Sequence, residues 1–272
     1  MTAGAIAPLF CVDAFTAEPF TGNPAAICLL ESPLPEPRMQ AIAAELNLSE
    51  TAFVVLGGDD YELRWFTPTQ EVELCGHATL ASAHVLFETE RVPRSEAVHF
   101  NTGWRGVLIA TSADDGVALD FPAAPSQLTP APPGLAAALG VEPVAVGVND
   151  LHHIAELEDA ATVQALAPDF SALARVDGVE AVTVTARGNT EGVDFVSRYF
   201  APRHGITEDA VTGSAHTSLA PWWADRLDNP ALTGKQLSAR TGIVHVRVDA
   251  PAPGRVTLHG QAVTVWKGDL LV

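Results

Sequence analysis

Four short stretches carry side chains able to hold or move a proton: Asn47-Leu-Ser-Glu-Thr51, Cys75-Gly-His-Ala-Thr79, Glu208-Asp209 and Thr212-Gly-Ser-Ala-His216. Glu50 can serve as a general base in a desolvated setting; taken alone, a glutamate between a helix and a strand is a solvated loop acid. Glu208 and Asp209 stand just ahead of Gly213, where spacing weighs a helix-stabilising carboxylate pair and a catalytic role equally. His77 and His216 belong to no HExxH or other ligand-spaced cluster, so no metal site is expected. Ser214 lacks the G-x-S-x-G frame of a hydrolase nucleophile, and its hydroxyl and backbone N–H suit a substrate oxygen better. Cys75 precedes a helix start, a setting that activates thiols, but its counterpart is Thr212 and a two-thiol mechanism has no second thiol. The absence of GxGxxG, P-loop and Schiff-base lysine patterns leaves chemistry without an organic cofactor.

The elements that must position these groups occur twice. Arg64-Trp-Phe-Thr-Pro68 returns as Arg198-Tyr-Phe-Ala-Pro202, an offset of 134 residues, while Gly76 and Gly213 are offset by 137, so the second copy gained three residues in between. In each copy an alternating aromatic run stops at a proline, crosses a polar loop and reaches a glycine that opens an apolar run of helical period. A helix start offers unpaired N–H groups and partial positive charge, and a leading glycine admits a ligand oxygen. Tight turning alone would also explain Gly76 and Gly213, but the polar neighbours His77 and Ser214 favour a site.

A chain of 272 residues with 47% hydrophobic and 18% charged residues is globular and long enough for two domains. Its formal net charge of −18 repels phosphate backbones and anionic lipid, so neither nucleic acid nor membrane is an expected partner. That field also repels a carboxylate substrate, which would have to rely on local donors. Three cysteines without CxxC spacing fit a reducing compartment, and the start Met1-Thr-Ala-Gly-Ala-Ile-Ala-Pro lacks a basic leader region, giving a soluble, cytoplasmic reading.

Strands are expected at Leu9 to Phe15 and Ala25 to Leu30, then a helix over Pro35 to Leu46, with Leu48 to Thr51 on a loop. Strands Ala52 to Leu56 and Tyr61 to Phe66 flank a Gly57 to Asp60 turn, and a helix runs from Gly76 to about Glu90. After strands at Val98, Gly106 and Val117, with a turn at Ala113 to Gly116, the proline-rich stretch 122–133 reads as a linker. Beyond it the pattern gives short helices at Leu135 to Leu139, Ala160 to Leu166 and Phe170 to Ala174, and a long helix over Gly213 to Leu227. Strands are expected at Val144 to Val148, His153 to Leu157, Ala181 to Thr185, Val193 to Phe200, Leu237 to Arg240, Ile243 to Val248, Val256 to His259 and Ala262 to Trp266. The domains expected are 1–121 and 134–261, with 262–272 returning to the first.

Asp13-Ala-Phe-Thr16 with Gly22-Asn-Pro24, Asn47-Leu-Ser-Glu-Thr51, Cys75-Gly-His-Ala-Thr79 and Gly205-Ile-Thr-Glu-Asp-Ala-Val-Thr-Gly-Ser-Ala-His216 together resemble the PhzF-like, phenazine-biosynthesis-type isomerases. The resemblance implies an α+β, diaminopimelate-epimerase-like fold: two pseudo-symmetric domains, each a mostly antiparallel sheet wrapped around a central helix, with the active site in the cleft between them. It implies that Glu50 moves a proton between carbons of a small carboxylated metabolite, hydroxylated, cyclic or unsaturated, with no cofactor. His77, Asp209 and Ser214 would assist as catalytic groups, Gly76, Gly213 and Asn23 would bind substrate, and the protein would form a homodimer. Two departures stand out: Ala210 replaces a common proline, and Thr212 replaces the second cysteine of true diaminopimelate epimerases, which favours the single-glutamate branch. A cleft that binds without turnover and a thiol-dependent racemase using Cys75 are the alternatives.

Overall fold

The computed structural model describes residues 6–57, 60–104, 106–113, 115–249 and 254–271. Residues 58–59 and 114, at the two turns expected near 57–60 and 113–116, lie outside the described residues, as do residues 1–5 and 272. The chain divides into two compact units, residues 1–120 with 259–272, and residues 121–258. Its strands are β1 (Ile6–Ala14), β2 (Asn23–Leu30), β3 (Glu50–Val55), β4 (Tyr61–Phe66), β5 (Glu71–Val72), β6 (Val98–Thr102), β7 (Gly106–Ala113), β8 (Gly116–Pro122), β9 (Gln127–Leu128), β10 (Ala145–Val148), β11 (His153–Glu156), β12 (Val182–Arg187), β13 (Phe195–Ala201), β14 (Ile206–Asp209), β15 (Ala231–Gln236), β16 (Gly242–Val248), β17 (Arg255–Gly260) and β18 (Ala262–Leu271). The helices are α1 (Glu36–Leu46), α2 (Gly76–Glu88), α3 (Leu135–Leu139), α4 (Ala160–Ala165), α5 (Phe170–Leu173) and α6 (Gly213–Leu227).

Both units follow one pairing rule. In the first, β1–β2, β3–β4 and β6–β7 are antiparallel, while β2 lies parallel to β3 across α1 and β4 parallel to β6 across α2. In the second, β10–β11, β12–β13 and β15–β16 are antiparallel, while β11 lies parallel to β12 across α4 and α5 and β13 parallel to β15 across α6. Each parallel pair needs a crossover, and a helix supplies it. The C-terminal strand β18 pairs antiparallel with β1.

The helix α2 is buried on every side, from Gly76 to Ala83 and again at Val85, Leu86 and Phe87, which only enclosure by sheet can achieve. Its polar side chains turn inward: Thr79 Oγ1 donates to Cys75 O at 2.6 Å and Ser82 Oγ to Ala78 O at 2.7 Å. Helix α1 covers the opposite face of the first sheet, where Met39, Ile42 and Ala43 meet Ala26, Cys28, Leu30 and Phe53.

Helix α6 contains Pro221, which cannot donate to the carbonyl four residues back. That carbonyl, Thr217 O, instead accepts from Ala124 N at 3.1 Å. Asn149 Nδ2 spreads its two protons over Ala124 O, Ser126 Oγ and Ser218 Oγ, each at 2.9 Å. The proline-rich segment is therefore fastened to α6, and Gln127–Leu128 pairs with β10.

Two expectations need correction. Glu50 and Thr51 are strand residues, not loop, because Thr51 and Phe53 alternate into the core and Glu50 is held opposite Ala25. The strand expected at Leu237 to Arg240 lies earlier, at Ala231–Gln236. There Asn229-Pro230 and Gly234 read as turn residues, yet Gly234 serves close packing: a Cβ would collide with the Phe195 ring.

Asn149→Ala removes the clamp while leaving the α6 core intact. It should cost about 1–3 kcal/mol of stability, read as a lower urea midpoint with unchanged slope.

Candidate active site

Each proposed functional residue sits where an element starts or ends. Helix α1 stops at Asn47, whose left-handed φ of 51° an asparagine tolerates, and the chain turns so that Ser49 and Glu50 enter β3. In parallel register beside it, β2 begins at Asn23, after Gly22 at φ +66°, where any Cβ would strike Ala14 O. Cys75 caps α2, placing Gly76 and His77 in its first turn.

These elements bring Glu50, His77 and Asn23 together. His77 Nε2 lies 3.1 Å from Glu50 Oε2, with the two side chains only 5% and 14% exposed. Oε2 is buried without a hydrogen-bond partner among the described residues, so its approach to His77 Nε2 is an ion-pair contact rather than an aligned hydrogen bond. On the far side of the ring, His77 Nδ1 is 3.2 Å from Asn23 Nδ2, and Asn23 is fully buried. Ser49 Oγ stands 3.1 Å from Asn23 Oδ1 and 2.9 Å from Pro24 O. Asn23, expected to bind substrate, thus has its amide between His77 and Ser49.

Cys75 Sγ is 3.5 Å from His77 Nδ1 and 3.9 Å from Nε2. A sulfur nearly equidistant from both ring nitrogens lies on neither lone-pair axis, so it is a poor proton partner for the imidazole. For the same reason Glu50, Cys75 and His77, although their donor atoms lie within 4.8 Å of one another, do not converge on one cation at ligand distances of about 2.0–2.3 Å. Burial first, then the Glu50 charge, pushes the Cys75 thiol up, leaving it protonated at neutral pH. His77 is held well above the ordinary histidine range: burial opposes its charge, but Cys75 and Glu50 outweigh it. With Cys75 a neutral thiol, the Glu50 carboxylate is the cause that stands.

The second unit repeats the frame with other chemistry. With an offset of 137, Cys75 corresponds to Thr212, His77 to Ser214 and Thr79 to His216. Thr79 and His216 make the same bond, each to the carbonyl of the capping residue, His216 Nδ1 donating to Thr212 O at 2.8 Å. Asp209 accepts from Thr212 Oγ1 ahead of Gly213 and the half-buried Ser214. Glu208 is instead occupied by Arg198, at 2.7 and 3.0 Å. Asp209, Gly213 and Ser214 therefore gather at the α6 start.

Sequence reasoning missed Gln236. It is fully buried at the end of β15, accepts from Thr212 N at 2.9 Å and donates to Asp209 O at 2.8 Å. Its signal was available: a polar residue in phase with the inward Leu232 and Gly234 must have partners inside.

A family model described as phenazine biosynthesis-like protein matches residues 12–268. A Pseudomonas aeruginosa protein called an uncharacterized isomerase is 48% identical over 257 residues, covering 94% of this chain and 95% of its own. A Halalkalibacterium halodurans protein of the same description is 41% identical over 266 residues, covering 97% and 98%. Among solved structures, a phenazine biosynthesis protein of the PhzF family from Enterococcus faecalis aligns at a TM-score of 0.93 with 44% identity, covering 98% of this chain and all of that one.

The buried histidines give opposite pH signatures. Burial lowers His216 from 6.5 to about 4, so the unfolded chain takes the proton first and this contribution is lost as pH falls through that range. His77, raised, contributes fully below about 6.5 and loses its contribution as pH rises through its folded value. Between pH 7 and pH 5, His216→Gln should therefore lose about 2 kcal/mol less stability than the unsubstituted protein, measured by urea unfolding at both values.

Proposed function

This chain belongs to the phenazine biosynthesis-like protein family and is an isomerase, and from that premise we propose that Glu50 carries a proton between two carbons of a small carboxylated metabolite without help from an organic cofactor. The observation that carries the reading is the Glu50–His77 pair: a largely buried carboxylate whose inner oxygen meets one imidazole nitrogen at 3.1 Å. Glu50 removes the proton, the electron pair is left delocalised over the unsaturated or carboxyl-bearing carbon frame, and the same carboxyl group returns the proton elsewhere in that frame. His77, 3.1 Å from Oε2, keeps the carboxylate oriented until substrate arrives. Hydroxylated, cyclic or unsaturated acids fit this chemistry, because each can spread the negative charge that develops. In the second unit, the α6 start with Gly213 and Ser214 is suited to a ligand oxygen.

The thiol route is the weaker one, since Cys75 is 6% exposed, held protonated and off the axis of either imidazole nitrogen. Incubating the purified protein with a panel of such acids in deuterated water, with mass and NMR detection, tests the reading. One carbon-bound hydrogen should exchange. Glu50→Gln should lower that exchange by about 10²–10⁴-fold while Cys75→Ser stays within about threefold. Exchange surviving in Glu50→Gln, or lost in a folded Cys75→Ser, would transfer the role to the thiol, and measurable binding with no exchange of any acid would leave a binding protein.

A further inference from the structure

Toward the end of α2 opposite His77, the first unit holds a cavity of about 630 Å³ that the proposed reaction does not use. His84 and Phe87 line it from the second half of α2, about 10–15 Å beyond His77 at 1.5 Å of rise per residue. Arg94 enters from the segment after that helix, and Ser112, Asp115 and Val117 from the β7–β8 hairpin, where Ser112 pairs with Val117. The directions of the hydrogen bonds decide what such a cavity can hold. Thr264 Oγ1 gives its one proton to Glu88 Oε2 at 2.7 Å, so its 3.3 Å contact with His84 must run from Nε2–H to the Thr264 oxygen. A neutral His84 then carries a bare lone pair on Nδ1. Burial lowers this histidine below the ordinary value of 6.5, with Glu88 opposing and Arg94 reinforcing, so the ring is uncharged at neutral pH.

Arg94 uses one N–H on Ser112 Oγ, at 3.2 Å, and among the described residues it has no carboxylate partner, although the chain carries a formal net charge of −18. Asp115 meets His259 Nε2 through Oδ1 at 3.1 Å, and a carboxylate has a second oxygen to offer. The lining is therefore dipolar, with donors at Arg94 and Ser112 and acceptors at Asp115 and His84. The last turn of α2, which carries Phe87, adds the negative pole of a helix. A simple anion would meet Asp115 and that pole, and a simple cation would meet Arg94, so neither matches the whole lining. We propose that this cavity is a second ligand site, for a zwitterionic α-amino acid with a small apolar side chain. Its carboxylate is held by the fork of Arg94, its ammonium by Asp115 and His84 Nδ1, and its side chain by Phe87 and Val117. The volume lies within the range of small-molecule sites. The assignment involves neither Glu50 nor His77 and stands apart from the reaction proposed above.

The test is calorimetric titration with L-valine and L-leucine, alongside isovalerate, which lacks the ammonium group, and isobutylamine, which lacks the carboxylate. At least one amino acid should bind with a Kd below about 10 mM, and each single-charge analogue at least about tenfold more weakly. Arg94→Gln and Asp115→Asn should each weaken the amino acid by a similar factor, and both side chains are exposed, so the core is untouched. In protein labelled with ¹⁵N in its histidine rings, the bound amino acid should shift His84 Nδ1, identified by its loss in His84→Gln, and leave His77 in place. No binding of either amino acid, an analogue that binds as tightly, an affinity unchanged in Arg94→Gln, or a shift at His77 in place of His84 would overturn the assignment.

Discussion

A helix buried on every face has no water to satisfy its ends, and the rest of this structure follows from how α2 and α6 meet that demand. Their first-turn N–H groups must point at something polar inside the protein, and the sequence gathers buried polar side chains around both helix starts. Thr79 and His216 each return to the capping carbonyl, Gln236 receives Thr212 N, and Asn23 and Glu50 crowd the α2 start. The helix ends are thus where polar groups are held most rigidly and with least solvent, which is what proton transfer to carbon requires.

Duplication kept the frame and let the chemistry diverge. Arg64 grips Glu71 through two bonds of 2.7 Å and lies over Phe66, and Arg198 does the same with Glu208 and Phe200. Such a bidentate fork fixes the hairpin that leads into each helix. Inside that shared frame His77 faces a carboxylate and is held charged, whereas Ser214 is neutral and His216 is kept uncharged by burial. The first unit therefore carries the stronger acid–base pair.

Much of this was legible in the chain. The repeated Arg-aromatic-Phe-x-Pro and the glycine-led helices follow from period and spacing, and α6 spans the residues its apolar face predicts. What was not legible depended on contacts between distant segments. Glu50 reads as loop because its strand character comes from pairing with Ala25, and β15 reads as turn because Gly234 looks like a breaker until Phe195 is seen against it. The carbonyl that Pro221 frees within α6 is taken by Ala124, from nearly a hundred residues away. Ser49, a common helix-exit residue, gains its meaning from the buried amide beside it.

A buried ion pair is a costly way to hold a fold together, and its persistence at the head of α2 is best explained by use. The central claim is that one carboxyl group both takes and returns the proton. The most direct measurement is the fate of a label: an accepted substrate deuterated at the reacting carbon, converted in ordinary water and analysed at low conversion. A single carrier shielded from solvent returns part of the deuterium to the new position, and that is the result expected. Product containing only solvent hydrogen from the earliest turnovers would require separate groups for removal and return, and would contradict the account.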